Sequence, residues 1–238
     1  MLDIQALMEG FRSNFIEKDR WKYLVDGLAI SIQVTLVALL IGLILGSLIA
    51  LIRVAVKDRK PGWKTPAGFF LNLVNKLAGA FITLIRGTPS TLQLLTAYAI
   101  ILKSIDQKIV VAMLTFGINS SAYIAEIMRG GIQSVPVGEI EAARSLGLSY
   151  MQAMRRIVLP QAVRIALPSL GNEVITLFKE TSICGFIGLM DLTRGSNVII
   201  SQTYNAAWPY AAATLIYLLV VKGLEVVFRR WEARVTYA

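Results

Sequence analysis

The feature that most constrains this chain is the apolar run at residues 27–52, which holds no charge between Asp26 and Arg53. A helix rises about 1.5 Å per residue, so this run is longer than the roughly 30 Å hydrocarbon core of a bilayer. A charge-free stretch of that length indicates a membrane-spanning helix. The sequence therefore predicts an integral membrane protein of the all-α class.

Four more crossings are predicted. The second begins in an interfacial or short entering helix at residues 65–85 and continues, after a break at Arg86-Gly87-Thr88-Pro89, to about Leu102. We expect Pro168 and Gly171 to interrupt the fourth crossing, because both residues weaken a helix. The last three crossings cover residues 109–128, 163–189 and 209–228. The total is five transmembrane helices.

Basic residues predict the orientation of these helices. Five lysines and arginines follow the first span at residues 53–64, and three arginines follow the last span at residues 229–234. Cytoplasmic flanks are enriched in Lys and Arg. The N-terminus is therefore expected outside the cell and the C-terminus in the cytoplasm, which agrees with five crossings of the cell membrane.

Residues 1–26 are predicted to form an amphipathic segment that lies on the membrane. Ile4, Leu7, Met8, Phe11 and Phe15 recur at helical spacing, while four acidic residues interrupt any signal-peptide core. The remainder, residues 27–238, is read as one transmembrane domain.

Composition excludes several classes of function. The chain has no histidine and a single cysteine, so His-based triads, HExxH zinc sites and intrachain disulfides are ruled out, and no metal or cofactor is predicted. It carries no GxxxxGK[ST] phosphate loop. The formal charge of +9 is explained by basic residues flanking apolar runs, so nucleic acid is not an expected partner.

A polar, charged loop at residues 133–160 stands out from the apolar chain. Its two helical patterns are residues 139–146, closed by Gly147, and residues 149–158, which we expect to end at Leu159-Pro160. Gly147 is typical of a helix C-terminal cap, and Ser149 with Gln152 forms a capping-box pattern. Such a loop is either a docking element for a partner or an ordered connector that packs on its own chain.

The 133–160 loop resembles the EAA loop of ABC-importer permeases, through Glu141-Ala142-Ala143, Gly147 and the run 157–160. Other blocks resemble the polar amino acid subfamily, in order along the chain. They are residues 86–89, 122–130, 159–162, 166–173 and 179–182. The chain departs from the family at Ser90 and Thr91, where a leucine or similar residue is usual, and the connector at residues 57–66 looks longer than usual.

The resemblance implies a type I ABC-importer permease fold and a polar amino acid as substrate. It implies that the 133–160 loop is a cytoplasmic coupling loop that docks on an ABC ATPase subunit, with Glu141, Ala142, Ala143, Arg144 and Gly147 as the contact residues. Further implied partners are a second permease chain, like or unlike, an extracytoplasmic solute-binding protein and membrane lipid. ATP hydrolysis belongs to the partner, so this chain is not expected to be an enzyme.

The fourth span holds the candidate substrate site. Glu173 and Glu180 are seven residues apart, which returns them to nearly the same face of a helix, and Thr176 lies between them. Acids inside a span usually face a cavity or a partner. Together with Asn172, these residues are predicted to bind the substrate, and two carboxylates favour a cationic amino acid.

Alternatives stay open for this site and for the function. Glu180 can pair with Lys179 or Arg194, and Glu173 with another subunit, in purely structural roles. A neutral polar substrate such as glutamine or cystine, a secondary transporter outside the ABC class, and a membrane scaffold are the alternatives to a cationic amino acid importer.

Two other patterns are read as structural. Glu126 and Arg129 have the spacing of a helical ion pair, and Gly42 with Gly46 forms a GxxxG pattern that permits close helix packing.

Overall fold

The computed structural model describes residues 4–59 and 65–236, and every regular element in these ranges is helical. This confirms the all-α prediction. The α-helices are α1 (Ile4–Phe11), α2 (Trp21–Arg59), α3 (Pro66–Arg86), α4 (Ser90–Thr96), α5 (Lys108–Gln133), α6 (Val137–Ser145), α7 (Tyr150–Ala153), α8 (Leu159–Glu180), α9 (Leu192–Thr203) and α10 (Ala207–Thr236). Three single π-helical turns (Arg12–Ile16, Ala97–Ile101 and Met154–Val158) and two 3₁₀ turns (Glu17–Asp19 and Thr181–Ile187) join some of them.

The described helices agree with the predicted number of crossings. Helices α2, α3, α5 and α10 are each long and apolar enough to span a bilayer. A fifth span results if the segments Tyr150–Ile187 and Leu192–Thr203, which are bent by 47° at a short break, count as one. By length and composition α3 is a candidate span, whereas the apolar segment Ser90–Ile101 is shorter than a span. Arg86 at the end of α3 lies 4.0 Å from Glu126, which also contacts Arg53 near the end of α2, so α3 ends at the level of Arg53 and length alone does not make it the second crossing.

Contacts divide the chain into two compact units, each described here by itself. The first unit consists of Met1–Ala38, Ser90–Phe116 and Ile175–Glu225. The second unit consists of Leu39–Pro89, Gly117–Val174 and Val226–Ala238. Both units contain a part of each of four helices, α2, α5, α8 and α10.

In the first unit, the N-terminal segment is held by an apolar core and one buried arginine. Phe15 and Leu24 are buried in a cluster with Leu192, Ile199 and Ala213. The Arg20 guanidinium donates to the Ser13 carbonyl and, at 3.1 Å, to Gln202 Oε1. Ile4, Leu7, Met8 and Phe11 of α1 stay exposed, as expected for the apolar side of an amphipathic helix. The helix that follows begins at Trp21, so the predicted boundary at residue 26 lies inside α2.

In the second unit, α2 packs closely on α5 through the two predicted glycines. A Cβ atom on Gly42 would lie 3.1 Å from Ser120 Cβ, and one on Gly46 would lie 2.7 Å from the Ser121 carbonyl oxygen. A Cβ atom would be crowded at Gly42 and would collide with backbone at Gly46, which agrees with the predicted role of the GxxxG pattern in helix packing. A second cluster, formed by Ile82, Ala122 and Ala125, joins the end of α3 to α5.

Helix α8 corrects the prediction that Pro168 and Gly171 interrupt the fourth span. The helix is continuous from Leu159 to Glu180 with Pro168 inside it. Gly171 serves packing, since a Cβ atom there would lie 3.0 Å from the Phe228 ring. The break comes later, at the 3₁₀ turn Thr181–Ile187, which ends at Gly188 in the left-handed region (φ +72°).

The end predicted for the second loop helix, at Leu159-Pro160, is also wrong. The π-helical turn Met154–Val158 leads directly into α8, which begins at Leu159. Pro160 therefore lies inside a continuous run of helical residues, directly after the π-helical turn.

Candidate functional site

The 133–160 loop has the caps that its sequence predicts. Gly147 takes the left-handed conformation (φ +85°) after α6. Its N–H donates to the Arg144 carbonyl at 3.0 Å, and the Leu148 N–H donates to the Ala143 carbonyl at 3.2 Å. This bond pair is a Schellman motif, in which glycine is favoured because it has no Cβ. The capping box of α7 is present, with Ser149 Oγ and Gln152 Oε1 each accepting the other residue's N–H.

One side of the loop packs on its own unit. Ala143 of α6 is buried, and Val135, Met154 and Val158 form a core cluster with Ile132 and Val54. The connector interpretation is therefore correct for this inner side, which fixes the loop in place.

The other side is exposed and mixes charged with apolar groups. Glu141, Ala142 and Arg144 are exposed. Leu146 is 84% exposed and Val137 is 69% exposed, although both are large and apolar. Exposed apolar residues beside charged ones are typical of a surface that binds another protein.

Glu173 is a buried carboxylate in the second unit. Its side chain is only slightly exposed, and Ser120 Oγ of α5 donates to Glu173 Oε1 at 2.7 Å. Asn172 precedes it on α8 and is exposed. Burying an ionised group requires such partners, since an unpaired charge in a span is costly.

Glu180 and Thr176 belong to the first unit, and both are half-buried. The Glu180 carboxylate has a hydrogen bond with the side chain of Ser90, at the start of α4. Within the described residues neither Lys179 nor Arg194 forms an ion pair with it. The two pairings considered as structural roles for Glu180 are therefore not seen.

The structure thus adds a serine partner to each predicted acid. Ser120 lies in the polar triplet Asn119-Ser120-Ser121 inside an apolar span, and that signal could have identified it from sequence. Ser90 is one of the two positions where the chain departs from the family pattern, but spacing could not connect it to Glu180, ninety residues away.

The predicted Glu126–Arg129 ion pair is confirmed, with an Nη2–Oε2 distance of 2.5 Å. Sequence reasoning missed the two further arginines at this carboxylate, Arg53 and Arg86, because they lie on α2 and α3.

No group of three or more His, Cys, Asp or Glu side chains that could hold a metal ion occurs in residues 4–59 and 65–236.

Residues 65–237 match the family described as binding-protein-dependent transport system inner membrane component. The glutamine transport system permease protein of Escherichia coli is 35% identical over 215 residues, covering 89% of this chain and 92% of that protein. The L-cystine transport system permease protein of Bacillus subtilis is 35% identical, covering 87% of this chain and 85% of the relative.

A solved structure gives the same picture. The crystal structure of an amino acid ABC transporter with histidines matches with a TM-score of 0.80 and 34% identity. The match covers 92% of this chain and 98% of that chain.

Proposed function

The chain belongs to the family of binding-protein-dependent transport system inner membrane components, and from this we propose that Glu173, Thr176 and Glu180 of α8, with Asn172, bind the substrate of an amino acid importer. The chain is the membrane permease subunit of an ATP-driven amino acid importer, with the type I permease fold. It spans the inner membrane several times and works with ATPase and solute-binding protein partners. ATP hydrolysis is the task of the ATPase, so this chain is not an enzyme.

The observation that carries the substrate proposal is the pair of acids on one apolar helix. Helix α8 runs without a break from Leu159 to Glu180, so the seven-residue spacing of Glu173 and Glu180 keeps both acids on one helical face. Each acid has a serine hydroxyl among its partners. A hydroxyl orients a carboxylate without placing a positive charge beside it.

Two carboxylates on one helical face favour a positively charged ligand. Every amino acid has an ammonium group, and a cationic amino acid has a second positive group on its side chain. We therefore propose lysine, arginine or a related cationic amino acid as the substrate. Relatives named for glutamine and cystine make a neutral polar amino acid the alternative.

The experiment uses the full chain purified with its partner subunits and measures ATPase stimulation by a panel of amino acids. Glu173→Gln and Glu180→Gln keep the shape of the side chain and remove its charge. Loss of one charge-assisted contact should raise the half-saturating concentration by about tenfold. The increase should be larger for lysine and arginine than for glutamine.

A structural role for these acids gives a different result. In that case the variants assemble poorly or unfold at lower temperature, while the preference among amino acids stays as in the wild type. Intact variant complexes with unchanged affinity for every amino acid would remove both acids from the site.

For the 133–160 loop we propose docking on the ATPase through the exposed residues Glu141, Ala142, Arg144 and Gly147, whereas Ala143, which the sequence also predicted as a contact, is buried on the inner side. Support comes from the two sides of the loop. The inner side packs on its own unit through Val135, Met154 and Val158, and the exposed side presents a charged and apolar surface. A loop anchored in this way can transmit a movement from one subunit to the other. We further propose that two permease chains, like or unlike, surround one pathway.

The proposed orientation places the N-terminus outside and the 133–160 loop and C-terminus in the cytoplasm. A cysteine introduced at Ser145, in a Cys184→Ala background, should react only with reagents that enter the cytoplasm. A cysteine at Gln107 should react from outside. Labelling of position 145 from outside in intact cells would contradict the orientation.

A further inference from the structure

The Glu126 carboxylate is surrounded by more positive charge than it can neutralise. Arg53 Nη1 lies 2.5 Å from Glu126 Oε1, Arg129 Nη2 lies 2.5 Å from Oε2, and Arg86 Nη1 lies 4.0 Å from Oε2. We call Arg53, Arg86 and Arg129 the arginine cluster. Among the described residues Glu126 is the only acid paired with it, so the cluster carries two positive charges in excess.

Within the described residues, Arg86 is the member of the arginine cluster whose N–H groups are available to a ligand. Its side chain is 45% exposed, and its guanidinium lies over the Tyr123 ring, 5.4 Å from the centroid. In the part of the chain that the structure describes, this guanidinium makes no hydrogen bond, whereas Arg129 also donates to Gln133 Oε1 at 2.7 Å. Its N–H groups form a planar fork that fits the oxygens of a phosphate or carboxylate.

Arg86 opens on a cavity of about 600 Å³ within the second unit. Its polar lining includes Arg53, Thr83, Arg86, Tyr123 and Glu126. Gly79 contributes open space, since a Cβ atom there would meet nothing within 4 Å. The cavity therefore has both the room and the positive charge for an anion.

The depth of the arginine cluster matches that of lipid headgroups. Arg53 precedes the end of α2 by six residues, and Glu126 precedes the end of α5 by seven. Both are thus about 10 Å from helix ends that the basic flanks assign to the cytoplasmic side. Basic pockets between helices at this level suit the headgroups of anionic lipids.

We propose that the arginine cluster and its cavity bind a phosphate-type oxyanion, with Arg86 as the principal ligand. The oxyanion is either the phosphate of an anionic phospholipid in the cytoplasmic leaflet or a soluble phosphate from the cytoplasm. The site lies apart from Glu173 and does not depend on the identity of the amino acid substrate.

The test measures thermal unfolding of the full chain, purified with its partner subunits, in lipid nanodiscs. One arm compares nanodiscs of phosphatidylcholine with nanodiscs that also contain increasing phosphatidylglycerol. The other arm adds inorganic phosphate to phosphatidylcholine nanodiscs, against chloride at equal ionic strength. Each arm is run on the wild type, on Arg86→Gln and on a control, Arg164→Gln, which removes an exposed arginine of α8 outside the arginine cluster.

The wild-type midpoint should rise and saturate with one of the two anions, because a ligand that binds the folded state stabilises it. Arg86→Gln should weaken the apparent affinity by about tenfold, and Arg164→Gln should leave it unchanged. A response to phosphatidylglycerol alone assigns the lipid source, and a response to inorganic phosphate assigns the soluble one.

Three results would overturn the proposal: no saturable response of the wild type in either arm, a wild-type response in Arg86→Gln, or an equal loss in Arg164→Gln. If Arg86→Gln fails to assemble, Arg86→Lys replaces it. Lysine keeps the charge but lacks the fork, so a smaller loss of affinity is expected, and a wild-type response would again contradict the assignment of Arg86.

Discussion

The 133–160 loop and helix α8 each contain a glycine that sequence rules read as a break, the end of a helix at Gly147 and an interruption at Gly171, and only Gly147 is one. Gly147 has φ +85° and open space around its α-carbon, so it terminates α6 through its own backbone. Gly171 lies in a continuous helix against the Phe228 ring. Sequence rules predict the role of a glycine correctly where hydrogen bonds between neighbouring residues determine it, as at Gly147. They fail where packing against a residue distant in sequence determines it, as at Gly171.

The largest expected effect comes from the exposed side of the 133–160 loop. The double variant Glu141→Arg, Gly147→Leu reverses a charge and forces a bulky residue into the left-handed region, so ATPase binding should weaken by more than about a hundredfold. Insertion of the protein should remain normal. The measurement is the amount of ATPase that co-purifies with the chain.

Gly138→Ala is the matched control for this loop. Gly138 lies in α6, and a Cβ atom there meets nothing of this chain within 4 Å, so Gly138→Ala should keep the fold of the loop, and with the charge of Glu141 and the cap at Gly147 intact docking is expected to be retained. Undiminished ATPase binding by the double variant would show that the exposed side is not the docking surface.

A smaller effect is expected at the buried acid of α8. Ser120→Ala removes the 2.7 Å hydrogen bond to Glu173 and keeps the charge, so the half-saturating substrate concentration should rise only a few-fold. Glu173→Gln removes the charge and should raise it about tenfold. Substrate-stimulated ATPase activity measures both variants. Equal effects would mean that the position of the carboxylate, and not its charge, matters.

The two glycines can be compared directly by alanine substitution. Gly171→Ala places a Cβ atom 3.0 Å from the Phe228 ring and should lower the free energy of unfolding by about 1–3 kcal/mol. Gly147→Ala should cost about 1–2 kcal/mol through backbone strain alone. Phe228→Leu should recover part of the loss in Gly171→Ala and none in Gly147→Ala. Thermal unfolding of the four variants tests this, and rescue of both glycine variants would contradict the distinction.

The smallest effect is predicted for Pro168. Because α8 is continuous through this exposed residue, Pro168→Ala should restore a helical hydrogen bond and stabilise the protein by on the order of 1 kcal/mol or less. Substrate half-saturation should not change. Thermal unfolding measures the stability and substrate-stimulated ATPase activity measures the half-saturation. Weaker substrate affinity in Pro168→Ala would contradict this prediction.

The predictable parts of this molecule depend on short-range chemistry. Apolar length gave the spans, and the Ser149–Gln152 capping box and the Glu126–Arg129 pair lie within three or four residues of sequence. The parts that were missed depend on residues far apart in the chain. Ser90 meets Glu180, and Arg53 meets Glu126, only because separate helices bring them together.

The position of the break between α8 and α9 could not be predicted from the sequence either. Thr181–Ile187 contains no proline and one glycine, Gly185, so composition gave no reason to place the break there. Asp191, which is buried, caps α9 by accepting from the N–H groups of Thr193 and Arg194 at 3.2 and 3.1 Å. This cap sets the start of α9, and the break is formed by the residues between α8 and that start.

The central claim is that the helical face carrying Glu173, Thr176 and Glu180 lines the amino acid pathway. Its most direct test is the reaction rate of a cysteine at Thr176, in a Cys184→Ala background, with a small polar thiol reagent, measured with and without lysine on the assembled transporter. Ile175→Cys, about 100° around the helix from Thr176, is the control. The account predicts that lysine slows the reaction at position 176 several-fold and leaves position 175 unaffected. Equal rates at position 176 with and without every amino acid that stimulates the ATPase would contradict it.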